Sequence, residues 1–290
     1  MISRIVLVCV LTFLVAVAAG CGSSSNVGTD GQPIVVAAFY PLAFAAAQIG
    51  GSSFSVENLT PVGAEPHDLE LTPSNVRSVD KASHLLYLGG GFMPALEEAV
   101  SGRDGSSLDL LAGLRLRRGD GAIAIDPHVW LDPVRYATMA RAIGVELGRR
   151  APARRLVERL EGLDAEFRRG LASCERRQLV TSHAAFGYLA ARYGLEQVPL
   201  QGLSPEAEAT PQQLARLVNT VRETGATTVF FETLVSPKLA QTVAREAGAT
   251  TAVLDPLEGL SDERIARGDD YFTVMRANLA ALRKGLSCRS

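Results

Sequence analysis

The sequence predicts an α/β protein of two parallel-sheet lobes joined by one long helix, and three observations carry the prediction. Short apolar or β-branched runs alternate with helical stretches between residues 33 and 126, the alternation recurs between 178 and 255, and a single uninterrupted helical period separates the two. In the first half the strand candidates are residues 34–39, 54–59, 85–88 and 122–125; in the second they are 178–181, 197–200, 227–231 and 251–254. Helix starts are marked by Thr72-Pro73, Asp132-Pro133, Thr210-Pro211 and Ser236-Pro237, each a capping side chain before a proline suited to the first helical position. Gly225 and Gly248 suit the matching ends. In residues 152–173, Leu156, Leu160, Leu163, Phe167 and Leu171 fall on one helical face, and Arg154, Arg155, Glu158, Arg159, Glu161, Asp164, Arg168 and Arg169 fill the others. At 1.5 Å per residue this helix is ~33 Å long. Its periodicity fits a rigid connector between the lobes and equally an ordinary surface helix of one of them.

The first residues point to export. After Arg4 an apolar run from Ile5 to Ala19, broken only by Thr12, ends in Ala18-Ala19-Gly20 directly before Cys21. Residues 1–20 read as a secretory signal, too short for a spanning helix. The small residues before cysteine resemble a bacterial lipobox, in which cleavage precedes Cys21 and that cysteine is lipidated; the alternative is a plain signal with an adventitious cysteine. Residues 21–32, rich in Ser and Gly, then form a lipidated tether, followed by a first lobe at 33–150, a linking helix at 151–175 and a second lobe at 176–290. The expected location is the outer face of the bacterial cytoplasmic membrane, as a monomer.

Without its signal the chain carries 28 basic against 31 acidic side chains, so nothing in its charge suits nucleic acid. Of the four cysteines, Cys9 leaves with the signal and Cys21 is the candidate anchor. Cys174 and Cys288 remain, either bridged in an oxidising compartment or as two free thiols.

Only four histidines are present. His67, His128 and His183 each follow a candidate strand, and Asp255 follows the last one, so the C-terminal edges of two parallel sheets would bring them to one cleft. Imidazole at such positions suggests a metal site between the lobes. His84 precedes its strand and belongs to the opposite edge. Each residue alone also has a plainer reading: a loop histidine is often merely hydrogen-bonded, and Asp255 before Pro256 can be a turn former. Glu65 and Glu232 are nearby carboxylates. Glu232, at a strand end, fits an orienting role toward an imidazole or simply a solvated acid. Trp130 and Tyr188 read as packing around the cleft.

Residues 63–70 (Gly-Ala-Glu-Pro-His-Asp-Leu-Glu), His128 to Pro133, the run Thr181-Ser182-His183-Ala184-Ala185-Phe186-Gly187-Tyr188, Phe230-Phe231-Glu232 with Ser236-Pro237-Lys238-Leu239-Ala240, and Leu254-Asp255-Pro256-Leu257 resemble the motifs of the metal-binding lipoproteins of ABC importers, the ZnuA/TroA group. The match spans residues 33–284 in order. It implies two α/β lobes, one long backbone helix and one metal between them, delivered to a membrane permease. It also implies His67, His128, His183 and Asp255 as ligands. Histidine at the position of His183 resembles the zinc binders, where manganese binders carry glutamate, and three imidazoles suit Zn²⁺ better than the oxygen-preferring Mn²⁺. Many zinc members carry a His-rich loop between the first two ligands; here residues 68–127 hold only His84. Zinc affinity is expected to fall as pH drops through the histidine range. The competing readings are a manganese or iron receptor of the same fold and, in another class, a zinc hydrolase. A fourth protein ligand and the lack of a His-Glu-x-x-His helix speak against the hydrolase.

Overall fold

The computed structural model describes residues 31–119, 123–204 and 210–289; the signal segment, Cys21 and nearly all of the tether lie outside the described residues. The first sheet contains β1 (Ile34–Ala37), β2 (Ser55–Asn58), β3 (His84–Tyr87) and β4 (Ser106–Asp109), all parallel in the order β2-β1-β3-β4. Helices α1 (Tyr40–Gly50), α2 (Pro73–Lys81) and α3 (Pro94–Ser101) connect them, and α4 (Pro133–Glu146) and α5 (Arg150–Leu171) follow. The second sheet repeats the plan with β5 (Gln178–Thr181), β6 (Glu196–Pro199), β7 (Thr228–Phe231) and β8 (Thr250–Val253) in the order β6-β5-β7-β8, again parallel. Its helices are α6 (Gly187–Tyr193), α7 (Pro211–Glu223), α8 (Lys238–Ala247), α9 (Asp262–Ala266) and the C-terminal α10 (Tyr271–Gly285).

The inner strands carry the apolar runs, as in IVVA of β1 and TVFF of β7, while the edge strands are polar and exposed. That asymmetry explains one correction. Residues 122–125 do not form the fourth strand of the first lobe: Ala122 lies outside the described residues, and Ile125 makes only an isolated antiparallel bridge to Arg118. The strand is Ser106–Asp109, whose sequence SSLD has no apolar alternation because an edge position buries little. His128 therefore follows a long loop after β4 rather than a strand end.

Three expected caps close as proline-led helix starts. Thr72 and Thr210 accept the backbone N–H of Asn75 and Gln213, which reciprocate as capping boxes, and Asp132 accepts from Val134. At Ser236-Pro237 the helix begins one residue later, at Lys238, whose N–H reaches Ser236 Oγ at 3.4 Å. Gly248 ends α8 in the left-handed conformation, φ +76°.

The connector is α5. Its 22 residues bury Leu156, Leu160, Leu163, Phe167 and Leu171, each worth about 1.5–3 kcal/mol of burial. Helix α10 returns from the second lobe to pack on α5 and on the first lobe: Tyr271 lies 4.6 Å from Tyr136 and 5.9 Å from Phe44, ring to ring, and the Arg159 guanidinium sits 4.0 Å over Phe272. One apolar core thus runs through both lobes and the connector, from Val35 and Leu85 through Leu160 to Leu189 and Leu282. A smaller core of Val180, Val218, Val221, Val229 and Val243 lies between the second sheet and α7 and α8. The buried Asp164 of α5 binds Arg192 of α6 through two hydrogen bonds of 2.9 and 3.0 Å and accepts from Tyr193, locking the connector to the second lobe. Cys174, just beyond α5, is joined to Cys288, just beyond α10, as a disulfide.

Candidate metal centre

The three cleft histidines share a local device. His67 lies within the short 3-10 turn Pro66–Asp68, and His128 and His183 cap the 3-10 turns Val129–Leu131 and Ala184–Phe186. The imidazole thus sits inside a tight bend for His67 and at the start of one for His128 and His183. In the second lobe the site lies at the β5/β7 junction, where strand order reverses and parallel sheets open a crevice.

The imidazoles converge. The Nε2 atoms of His67, His128 and His183 lie 3.3, 3.0 and 3.5 Å from one oxygen, Oε1 of Glu258. One ligand atom from each of these four residues falls within 4.8 Å of the others. His128 and His183 are fully buried. Their other nitrogens are held from behind: His128 Nδ1 faces Asp126 Oδ1 at 2.9 Å, and His183 Nδ1 faces Glu232 Oε1 at 2.7 Å. Ser182 Oγ also donates to that Glu232 oxygen at 2.5 Å. His67 Nδ1 is buried with no hydrogen-bond partner among the described residues.

The carboxylate that meets the three imidazoles is Glu258; Asp255, expected as the fourth ligand, lies outside the cluster. Asp255 is buried, but its Oδ1 accepts the Leu257 N–H at 2.8 Å, and its Oδ2 accepts from Thr233 at 3.0 Å and pairs with Arg264 at 3.3 Å. It is a turn former and an ion-pair partner. Glu258 comes three residues later, after Leu257 turns the chain at φ +58°. Glu65 accepts the backbone N–H of His67 at 3.3 Å, and one oxygen each of Glu65, Glu232 and Glu258 also lie within 4.8 Å of one another. His84 lies at the N-terminal end of β3, outside the cluster, with its Nδ1 2.7 Å from Glu146. Trp130 and Tyr188 are buried beside the cleft, their donors spent on the carbonyls of Pro256 and Asp126.

The electrostatics call for a cation. Burial, and secondarily Glu258, push the Glu65 carboxyl up to about 9. Burial also opposes charge on His183, but Glu232 and Glu258 outweigh it and raise the imidazole to about 10; His128 is raised in the same way against its burial by Asp126 and Glu258. His67 has no carboxylate behind it and is lowered, chiefly by burial. Glu258 is held well below the carboxylate range by the surrounding imidazoles, in spite of burial. With carboxylates at both nitrogens, His128 and His183 each need two protons to satisfy all contacts. A divalent cation would replace the inner protons: each Nδ1–H would keep donating to Asp126 or Glu232, and the Nε2 lone pairs would be free as ligands. Of the four ligand residues, Glu258 Oε2 and His183 Nε2 are buried without hydrogen-bond partners among the described residues. Three imidazoles and one carboxylate suit tetrahedral Zn²⁺.

Sequence reasoning missed Asp126 and Glu258. Asp126 has a signal, because Asp126-Pro127-His128 repeats the acid-Pro-His spacing of Glu65-Pro66-His67. Glu258 has only its place three residues beyond Asp255.

The family described as zinc-uptake complex component A, periplasmic (ZnuA), matches residues 35–285. The high-affinity zinc uptake system protein ZnuA of Bacillus subtilis is 33% identical over 301 residues, covering 94% of each chain. The zinc-binding lipoprotein AdcA of Streptococcus pneumoniae is 33% identical over 286 residues, covering 90% of this chain and 57% of AdcA, so the chain spans little more than half of that relative. The crystal structure of the Zn(II)-bound ZnuA-like domain of Streptococcus pneumoniae AdcA superposes with a TM-score of 0.78 at 32% identity, over 88% of this chain and 99% of that one.

Proposed function

The chain belongs to the periplasmic zinc-uptake component A family, and from that premise we propose that it is an extracytoplasmic receptor that captures Zn²⁺ and delivers it to the permease of an ATP-driven importer. His67, His128, His183 and Glu258 hold the ion. Asp126 and Glu232 orient two of the imidazoles through their second nitrogens. The observation that carries this reading is the convergence of three Nε2 atoms and one carboxylate within 4.8 Å in a buried cleft between the lobes.

Zinc is cargo in this reading, and the residues supply no turnover. Four protein donors close a tetrahedral shell, whereas catalytic zinc keeps a position for water. Each lobe gives two ligands, so loading ties the lobes together. The core shared by both lobes and α5 favours small rocking over wide hinge closure. Anchoring through a lipidated Cys21, and action as a monomer at the outer face of the cytoplasmic membrane, complete the proposal. The relative named as a zinc-binding lipoprotein and the Cys174–Cys288 disulfide, which suits an oxidising compartment, support it.

The test is metal competition on residues 22–290, read by native mass spectrometry and thermal shift. One Zn²⁺ per chain, retained against excess Mn²⁺ and raising the melting midpoint, is expected. Equal stabilisation by both metals, or hydrolysis of an ester or peptide that depends on zinc and on Glu232, would contradict the reading.

A further inference from the structure

The turn that presents Glu258 is held by a residue of the opposite lobe. Leu257 is fully buried yet sits at φ +58°, a region that a leucine enters only when its surroundings impose it. Its φ angle turns on the Pro256–Leu257 peptide, and both polar ends of that peptide are pinned. The Leu257 N–H donates to Asp255 Oδ1 at 2.8 Å, and the Pro256 carbonyl accepts the indole N–H of Trp130 at 2.7 Å. Asn278 of α10 clamps the residue before, accepting from Asp255 N at 2.9 Å and donating to Asp255 O at 2.7 Å.

Trp130 is itself fixed. It is fully buried, its ring centre lies 4.7 Å from Phe39, and its carbonyl accepts from Tyr271 Oη at 2.7 Å. It stands two residues after His128 and grips the carbonyl two residues before Glu258. We propose that Trp130 is a positioning residue for zinc: its indole N–H, reaching across the lobes, fixes the left-handed turn that holds Glu258 against the three imidazoles. This rests on the ligand set above and adds that the closing carboxylate is set by the lobe that does not carry it.

Trp130→Phe keeps an aromatic ring in the core but deletes the N–H together with the five-membered ring, leaving the Pro256 carbonyl without its donor and a small cavity whose cost the melting midpoint reads separately. Zinc loss to a competing chelator should become roughly tenfold faster. The visible bands of the Co²⁺-loaded variant should weaken toward those of Glu258→Gln, because the carboxylate no longer completes a tetrahedral shell. Asn278→Ala loosens the same turn from its own lobe, so the double variant should lose less than the sum of the two. A lowered melting midpoint with unchanged zinc release and unchanged Co²⁺ bands would make Trp130 a core residue only. The wild type gives a second check, since its single tryptophan yields one indole resonance: zinc should slow exchange of that proton, and an unchanged rate overturns the proposal. His183→Ala separates the two layers. If it binds zinc normally, the ligand set fails; if it loses zinc while Trp130→Phe behaves as wild type, only the positioning role fails.

Discussion

The two acid-Pro-His turns of the first lobe start from the same local pattern and end differently. In both, the acid accepts the backbone N–H of the histidine two residues on, at 3.0 Å for Asp126 and 3.3 Å for Glu65. Asp126 also reaches the ring nitrogen of its own histidine, whereas Glu65, one methylene longer, faces Glu232 and Glu258 instead. His128 is therefore held at Nδ1 by the acid of its own turn, and His67 is not. The second lobe reaches the Asp126 solution by another route: Glu232 comes from the end of β7 to hold His183, 49 residues away. Preorganisation here is a matter of which carboxylate reaches Nδ1, and sequence proximity alone does not decide it.

The largest effect that can break this contrast is loss of a held ligand. A four-ligand zinc site yields ~10–16 kcal/mol, so His128→Ala or His183→Ala should each weaken zinc by roughly a hundredfold or more in chelator competition. His67→Ala should cost less than either, and an equal loss would erase the distinction. Next come the orienting acids. Asp126→Ala and Glu232→Ala should each weaken zinc about 10–100-fold, while Glu65→Ala should change it only a few-fold by the same titration. Asp255→Asn is smaller again at the metal: zinc stoichiometry should stay at one by mass spectrometry, because that carboxylate faces Arg264 and Thr233.

How much of this could be read beforehand divides along physical lines. The inner strands, the α5 stripe and the three histidines were legible, because burial demands apolar periodicity and parallel strands send their ends to one edge. Strand β4 was not, since an edge strand can be polar. Glu258 was not either. Leu254-Asp255-Pro256-Leu257-Glu258 offers two acids, and the choice between them depends on a left-handed leucine that no residue type announces. Long-range contacts make that turn: Trp130 lies 126 residues from Pro256 in the chain.

The smallest expected effect belongs to the connector. Burial raises the Asp164 carboxyl, but Arg192, Tyr193 and Arg168 outweigh it and hold the group below its ordinary value. A depressed carboxylate contributes stability above its unfolded value, near 3.9, and loses it as pH falls through the native one. Asp164→Asn should lower the melting midpoint of the metal-free protein at pH 7 by a few degrees, about 1–2 kcal/mol, and flatten its decline below pH 4. Zinc release should be unchanged, since Asp164 lies outside the cleft.

X-ray absorption at the zinc edge tests the ligand set most directly. The wild type should show four nitrogen or oxygen donors at ~2.0–2.2 Å with the outer-shell scattering of three imidazoles, the shell altered in Glu258→Ala and unchanged in Asp255→Asn. A zinc shell unchanged by Glu258→Ala, or disrupted by Asp255→Asn, would contradict the account.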